Sequence, residues 1–332
     1  MSASFPSLRL RRLRRTETLR DLVRETQIST DDLIHPLFID EGIDEPHAIP
    51  TMPGLVRLPE RQLAEQIRQL ARDGLKAVML FGISHHKDAI GSDTWKQDGL
   101  VARMVRTAKQ AAPEMIVIPD LCFCEYTDHG HCGVVDDGEV NNDATLANLG
   151  KQAVVAAQAG AEMVAPSGMM DGQVQAIRVA LDAAGFQHVA IMAYASKFTS
   201  ALYGPFRVAA DCGLKGNRAG YQLDPMNQRA ALLEARLDEA EGADFLMVKP
   251  GLPYLDVLSK IREVSLLPVA TYQVGGEYAM IKFAAQSGAI NERQTVLETL
   301  GAFKRAGADV IVTYFAHDVA RWLNTSTDSA GL

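Results

Sequence analysis

Short apolar runs rich in β-branched residues recur along the chain, at Leu33–Ile39, Ala77–Phe81, Met115–Pro119, Glu162–Pro166, Val189–Tyr194, Asp244–Lys249, Pro268–Gln273 and Asp309–Tyr314. A near-continuous apolar run of this length predicts a strand covered on both faces. Between the runs the period changes. In Pro59–Gly74, for instance, Leu63, Ile67, Leu70 and Ala71 fall on one face of a helix that Gly74 would end. Gly160, Gly242 and Gly307 likewise stand just before a run, the punctuation of a helix leading into a strand. Eight strands alternating with helices, with nothing resembling a linker between them, predict an α/β protein built as a single (β/α)8 TIM barrel. An open doubly wound sheet is the competing architecture. It is disfavoured because no G-x-G-x-x-G turn follows the first run. Two connections, Asp120–Leu149 and Ala195–Asn227, are long and rich in Gly and polar residues. Both follow strands, so both would lie on the catalytic face of a barrel, the second as a lid over about residues 200–227.

Composition narrows the class. The chain has 332 residues, 47% of them hydrophobic, and 33 basic against 41 acidic side chains for a net charge of −8. That balance argues against a surface built for nucleic acid. No apolar stretch is long enough for a transmembrane helix, and no secretory signal is visible, so a cytoplasmic protein is expected. The exception to the acidic character is the start, where Arg9, Arg11, Arg12, Arg14 and Arg15 interleave with Leu10 and Leu13. Residues 1–30 are expected to form an arm that packs on a neighbouring subunit, and 31–332 the catalytic barrel. An RNA- or membrane-binding arm is the alternative, and nothing later in the chain extends the basic patch.

Candidate chemistry gathers at the predicted strand ends. Cys122 and Cys124 are spaced C-x-C, and Cys132 follows after seven intervening residues that include His129 and His131. Three thiolates can hold Zn²⁺ with a fourth position open, as catalytic sites require. Cys212, far along in the lid, reads as a spectator. Lys249 ends an apolar strand and Lys197 follows the neighbouring one. With strands about 4.8 Å apart, two ammonium groups there repel, and burial favours the neutral amine that attacks a carbonyl. Arg207 and Arg218 in the lid suit a carboxylate substrate. Asp120 stands at a strand end beside the cysteines, placed for general acid/base work or for holding a loop.

Together these residues resemble the porphobilinogen synthase (δ-aminolevulinic acid dehydratase) family, in its zinc-type bacterial branch. The resemblance covers nearly the whole chain. It rests on the runs Met79–His86, Asp120–Gly133, Asn142–Leu146, Lys197-Phe198 with Tyr203–Arg207, Met247–Gly251 and Gly276–Ile281. It implies a homo-octamer assembled through the arm, condensing two 5-aminolevulinates to porphobilinogen with loss of water, in heme and tetrapyrrole biosynthesis. It further implies that Lys249 holds the first substrate as a Schiff base and Lys197 engages the second. Cys122, Cys124 and Cys132 would bind the catalytic zinc. Arg207, Arg218 and Gln222 would clamp the second substrate's carboxylate, with Asp120, Ser167 and Phe206 lining the pocket and Tyr314 on the first substrate's carboxylate. Glu234 matches an allosteric Mg²⁺ ligand of bacterial members.

The departures lie near that pocket. Gly275 stands where the family has a serine serving the first substrate's carboxylate, Asn217 and Ala219 flank Arg218 in place of an acid and a base, and Ala195 replaces a usual serine. These changes are read as drift in an ordinary synthase, or as a paralogue acting on an altered amino ketone or turning over poorly. A one-lysine Schiff-base aldolase would leave Lys197 and the cysteine loop idle. A non-enzymatic zinc- or RNA-binding protein would rely on the arginine arm.

Overall fold

The computed structural model describes residues 4–214 and 216–325. Eight parallel strands form the barrel wall: β1 Leu33–Asp40, β2 Ala77–Ile83, β3 Ile116–Leu121, β4 Met163–Pro166, β5 Ala190–Lys197, β6 Phe245–Lys249, β7 Val269–Gln273 and β8 Val310–Thr313. They pair in chain order, and β1 closes the ring on β8 through Leu33 opposite Ile311 and Ile34 opposite Val312. All eight coincide with the apolar runs, because each run is buried on both its inner and its helix-facing side. The single (β/α)8 barrel is therefore the observed architecture.

Helices separate the strands, and their sequence signals hold with small shifts. The first covers Leu63–Arg72 and buries Leu63, Ile67 and Leu70. Ala71, expected on that face, is exposed, and Glu60–Gln62 enters as a 3₁₀ turn rather than α-helix. Gly74 takes φ 90° and Gly307 φ 111°, the left-handed conformation that turns a helix end into the next strand. The connection after β3 is shorter than expected. Asn141 caps a helix at Asn142–Gln158 by accepting from the Ala144 N–H, so the polar stretch ends at residue 141.

The strand ends reach further than the apolar runs. β3 includes Asp120, and β5 continues through Ala195-Ser196-Lys197. These small and polar residues have little strand signal of their own. Their neighbours hold them in register: Val248 lies opposite Ser196 and Lys249 opposite Lys197, after an irregularity between Leu246 and Val248. The Ser196 hydroxyl donates to the Ala231 carbonyl behind the sheet.

Residues 4–24 carry no buried side chain, apart from the barrel. They contain a 3₁₀ turn at Leu10–Arg14 and a short helix at Glu17–Leu22, and they leave Phe5, Leu8, Leu10, Leu13 and Leu22 exposed.

Candidate active site

The C-terminal ends of the strands converge on one mouth, where β5 and β6 place Lys197 and Lys249 directly opposite each other. The backbone locks that pairing, with the Phe198 N–H donating to the Lys249 carbonyl at 2.9 Å and the Tyr203 hydroxyl donating to the same oxygen at 3.2 Å. Both lysines are 5% exposed. Lys249 Nζ lies among aromatic faces, 4.2 Å from the Tyr272 ring and 5.1, 5.4 and 5.2 Å from those of Tyr194, Tyr203 and Phe206. Burial lowers its pKa to about 7. The positive charge of Lys197 pushes the same way, and Asp120 opposes both. Lys197 Nζ instead donates to the Ser167 carbonyl at 2.6 Å.

Asp120 sits between these groups and the cysteines. Its Oδ2 accepts from the Ser167 hydroxyl at 3.0 Å, while Oδ1 is buried with no partner. Burial raises its pKa against the pull of the two lysines. A carboxyl poised in this way can exchange a proton with a neighbouring amine or substrate.

The three cysteines of the β3 connection meet in space. The ligand atoms of Cys122, Cys124 and Cys132 lie within 4.8 Å of one another, all buried, with Cys122 Sγ 3.3 Å from Cys124 Sγ. Hydrogen bonds from the other two thiols hold Cys132 well below the usual thiol range, and the same contacts push Cys124 well above it. In this buried space only one thiolate is stabilised by its neighbours, and two or three require a cation. The donor set therefore fits a soft, borderline metal ion. His129 and His131 do not join it: His129 Nε2 contacts the Ala89 carbonyl, and His131 Nδ1 lies 3.2 Å from the Tyr221 hydroxyl.

The lid contributes Arg218, Gln222, Phe206 and Arg207. Arg218 and Gln222 are each 5% exposed, and Arg218 Nε and Gln222 Nε2 are buried without partners, donors aimed at nothing the protein supplies. Arg218 Nη2 anchors to the Gly130 carbonyl of the cysteine loop at 3.0 Å. Arg207 is exposed but reaches the edge of a small cavity bounded also by Cys124, Ser167 and both lysines. On the other side, Tyr314 is buried and its hydroxyl accepts from Tyr272 at 3.1 Å. Gly275 opens the helix Gly275–Gln286. A Cβ there would meet Pro205 Cβ at 3.0 Å and Met52 Sδ at 3.1 Å, so these two fill the space a serine would use.

Glu234 lies elsewhere, on the helix Gln228–Glu241. Burial and the charges of Asp171 and Glu241 raise its pKa, and burial with Glu241 and Glu234 pushes Asp238 up to about 8. Among the described residues, the triads of ligand atoms close enough to hold an ion are all at the barrel mouth, and Glu234 belongs to none.

Sequence reasoning missed four residues and discounted a fifth. Tyr194, Tyr203 and Tyr272 cage Lys249, Glu125 packs its Oε2 3.1 Å from Cys124 Sγ, and Cys212, read as a spectator, lies 3.7 Å from Cys124 Sγ. Tyr272 had a signal, since it stands one residue from the end of the strand beside Lys249. Cys212 had none, being 80 residues from Cys132.

Two buried lysines facing each other in a parallel barrel, one caged by aromatics and both beside a cluster of three thiols, define the class: a (β/α)8 barrel with a polar site at its C-terminal mouth. Comparison with known proteins narrows that class. The family described as delta-aminolevulinic acid dehydratase matches residues 7–322. The Escherichia coli enzyme of that name is 60% identical over 312 residues, covering 94% of this chain and 96% of its own. The Halalkalibacterium halodurans enzyme is 50% identical over 317 residues, covering 95% and 97%. A solved Toxoplasma gondii delta-aminolevulinic acid dehydratase (porphobilinogen synthase), in complex with its product porphobilinogen, superposes with TM-score 0.94 at 44% identity, covering 98% of this chain and 95% of that one. The chain belongs to the delta-aminolevulinic acid dehydratase family.

Proposed function

We propose that this chain condenses two molecules of 5-aminolevulinate to porphobilinogen with loss of water. One observation carries the reading beyond family membership: Lys197 and Lys249 are register partners, buried side by side at the barrel mouth. A one-lysine aldolase gives no reason for the second lysine to be there.

Lys249 is the nucleophile toward the first substrate's ketone. Its amine is half neutral near pH 7 because burial and Lys197 disfavour the ammonium. The attack makes a C–N bond, and the carbonyl oxygen leaves as water once protonated. Asp120, with its raised pKa and free Oδ1, is placed to supply that proton and take one back. Lys197 engages the second substrate, and its hydrogen bond to Ser167 is exchanged for that contact. Arg218 and Gln222 offer their unpartnered donors to the second carboxylate, helped by Arg207 at the rim. Phe206 and the tyrosines exclude water from the imine, and Tyr314 serves the first carboxylate in place of the serine absent at Gly275. Cys122, Cys124 and Cys132 would hold zinc, which supplies Lewis-acid polarisation of the second substrate's carbonyl when bound.

Away from the site, Glu234 alone is the carboxylate assigned to an allosteric Mg²⁺ ion, whose other ligands would be water. Residues 1–30 are an assembly arm whose exposed leucines pack on a neighbouring barrel in a cytoplasmic octamer, rather than a nucleic-acid arm. The packing of Met52 and Pro205 around Gly275 favours an ordinary synthase over a paralogue for another amino ketone, because the missing volume is already filled.

The test is incubation of the purified protein with 5-aminolevulinate and mass analysis of the product. Porphobilinogen is expected. No porphobilinogen from zinc-loaded protein, or condensation of a different amino ketone in preference, contradicts the proposal.

A further inference from the structure

We infer that Glu277 is a positioning residue for the Schiff-base lysine: its buried carboxylate grips the turn that follows Lys249 and so fixes where that side chain stands among its four rings. The inference rests on the reading of Lys249 as the nucleophile.

The accounting begins with the backbone around Lys249. Its carbonyl accepts from the Phe198 N–H and the Tyr203 hydroxyl. Pro250 has no N–H, so the next donors along the chain are those of Gly251 and Leu252. Both go to one side chain. Glu277 Oε1 accepts from the Leu252 N–H at 2.7 Å, and Oε2 from the Gly251 N–H at 3.3 Å. Oε2 also accepts from the Val274 N–H at 2.7 Å, at the start of the helix Gly275–Gln286. A glutamate in the first turn of a helix commonly reaches back to one such N–H. The two bonds beyond that cap go to a different strand end, and they join β6 to β7 at the barrel mouth.

The turn lies tight on the barrel wall. Glu277 is 0% exposed, and a Cβ on Gly251 would lie 2.6 Å from the Phe303 ring and 3.2 Å from Thr271 Oγ1. Removing the carboxylate would leave buried N–H groups unpaired, a cost the chain avoids by moving. Burial pushes the Glu277 pKa up to about 7, and the three N–H groups and the charge of Lys249 pull it back. The chain then runs into the 3₁₀ turn Leu252–Tyr254, and the Tyr254 ring stacks on Phe198 at 3.9 Å. Phe198 follows Lys197, so a displaced turn shifts the ends of both lysine strands. A misplacement of about 1 Å can cost about a hundredfold in rate. Glu277 thus acts through the backbone of Lys249 rather than on substrate.

Borohydride trapping of 5-aminolevulinate on Lys249, timed across substrate concentrations, separates imine formation from binding. Wild type, Glu277→Gln, Glu277→Asp and Leu300→Ala are compared, each with a thermal melt. Glu277→Gln keeps one carbonyl oxygen for three N–H groups, and Glu277→Asp keeps the charge but is one carbon short. Both are expected to slow adduct formation at saturating substrate by roughly ten- to a hundredfold, with the half-saturating concentration unchanged. Leu300→Ala opens a cavity under the outer helix Glu292–Arg305 and should melt lower while trapping at the wild-type rate. Glu277 variants that melt lower yet trap at the wild-type rate would make the residue merely structural and overturn the inference. A slow Glu277→Gln beside a normal Glu277→Asp overturns it too, since charge rather than reach would then act on Lys249. Should neither Glu277 variant fold, hydrogen exchange on the wild type decides. The Gly251 and Leu252 N–H groups should exchange as slowly as those of β6 and β7, and fast exchange there overturns the inference. Failure of the nucleophile reading looks different: the wild type itself gives no adduct on Lys249.

Discussion

The nucleophilic role proposed for Lys249 follows from where its charge would have to sit. Burial and the neighbouring Lys197 bring its pKa down to about 7, against 10.5 for an ordinary lysine, while Asp120 pulls it back. Folding therefore favours the neutral amine. Between about pH 7 and 10.5 the unfolded chain binds the extra proton, so this group's contribution to stability grows as pH rises through that window. Two shifts follow if the causes are right. Lys197→Met removes the like charge and should move the midpoint for reaction of Lys249 with an amine-directed reagent to higher pH. Asp120→Asn removes the opposing charge and should move it lower. Peptide mapping of the modified lysine across a pH series checks both, and unmoved midpoints would mean that burial acts alone. At this scale the sequence was informative about Lys197, Lys249 and the three cysteines, whose types and strand-end positions carry their chemistry. It was silent about Glu125 and read Cys212 as a spectator, because only the fold sets these two beside Cys124.

At the scale of elements, strand and lid boundaries were legible where burial is continuous and blurred where it is selective. β1 to β8 follow apolar runs, but Ala195-Ser196-Lys197 joins β5 through pairing with β6 rather than through its own propensity. The start of the helix Gly275–Gln286 shows the same dependence on neighbours. Glu277 caps it by accepting from the Val274 N–H at 2.7 Å and also from Leu252 at 2.7 Å, which ties the loop after Lys249 to this turn. Met52 and Pro205 then press on Gly275. Restoring a serine there should not simply restore a substrate contact. Gly275→Ser is expected to lower stability by about 1–3 kcal/mol, the usual cost of overpacking, with no gain in turnover of 5-aminolevulinate. Met52→Leu, which withdraws the flexible tip, should recover part of that loss in the double variant beyond what the single changes predict. Thermal melts and turnover of the four proteins decide it. A serine that raises turnover without a stability penalty would show that the space is freer than the packing implies.

For the whole molecule, the barrel accounts for residues from Leu33 onward and takes Ile28 against its core, whereas the described residues before 25 are buried by nothing within one chain. Residues 4–24 bury no side chain, yet they carry six exposed large apolar residues among arginines. Deleting residues 1–15 should reduce the assembly to a smaller oligomer with the barrel still folded, as read by light scattering and circular dichroism. An unchanged assembly would remove the arm from that role. The arm was visible in the sequence as a compositional outlier, but the partner proposed for it, a second chain, is one that no pattern within this one identifies. The account as a whole stands on Lys249 forming a covalent imine with substrate beside Lys197. The most direct measurement is borohydride reduction in the presence of 5-aminolevulinate, followed by mass analysis of the peptides from wild type and Lys249→Met. The expected result is one reduced substrate adduct on the peptide containing Lys249, lost together with turnover in Lys249→Met. Trapping and normal turnover in Lys249→Met would contradict it.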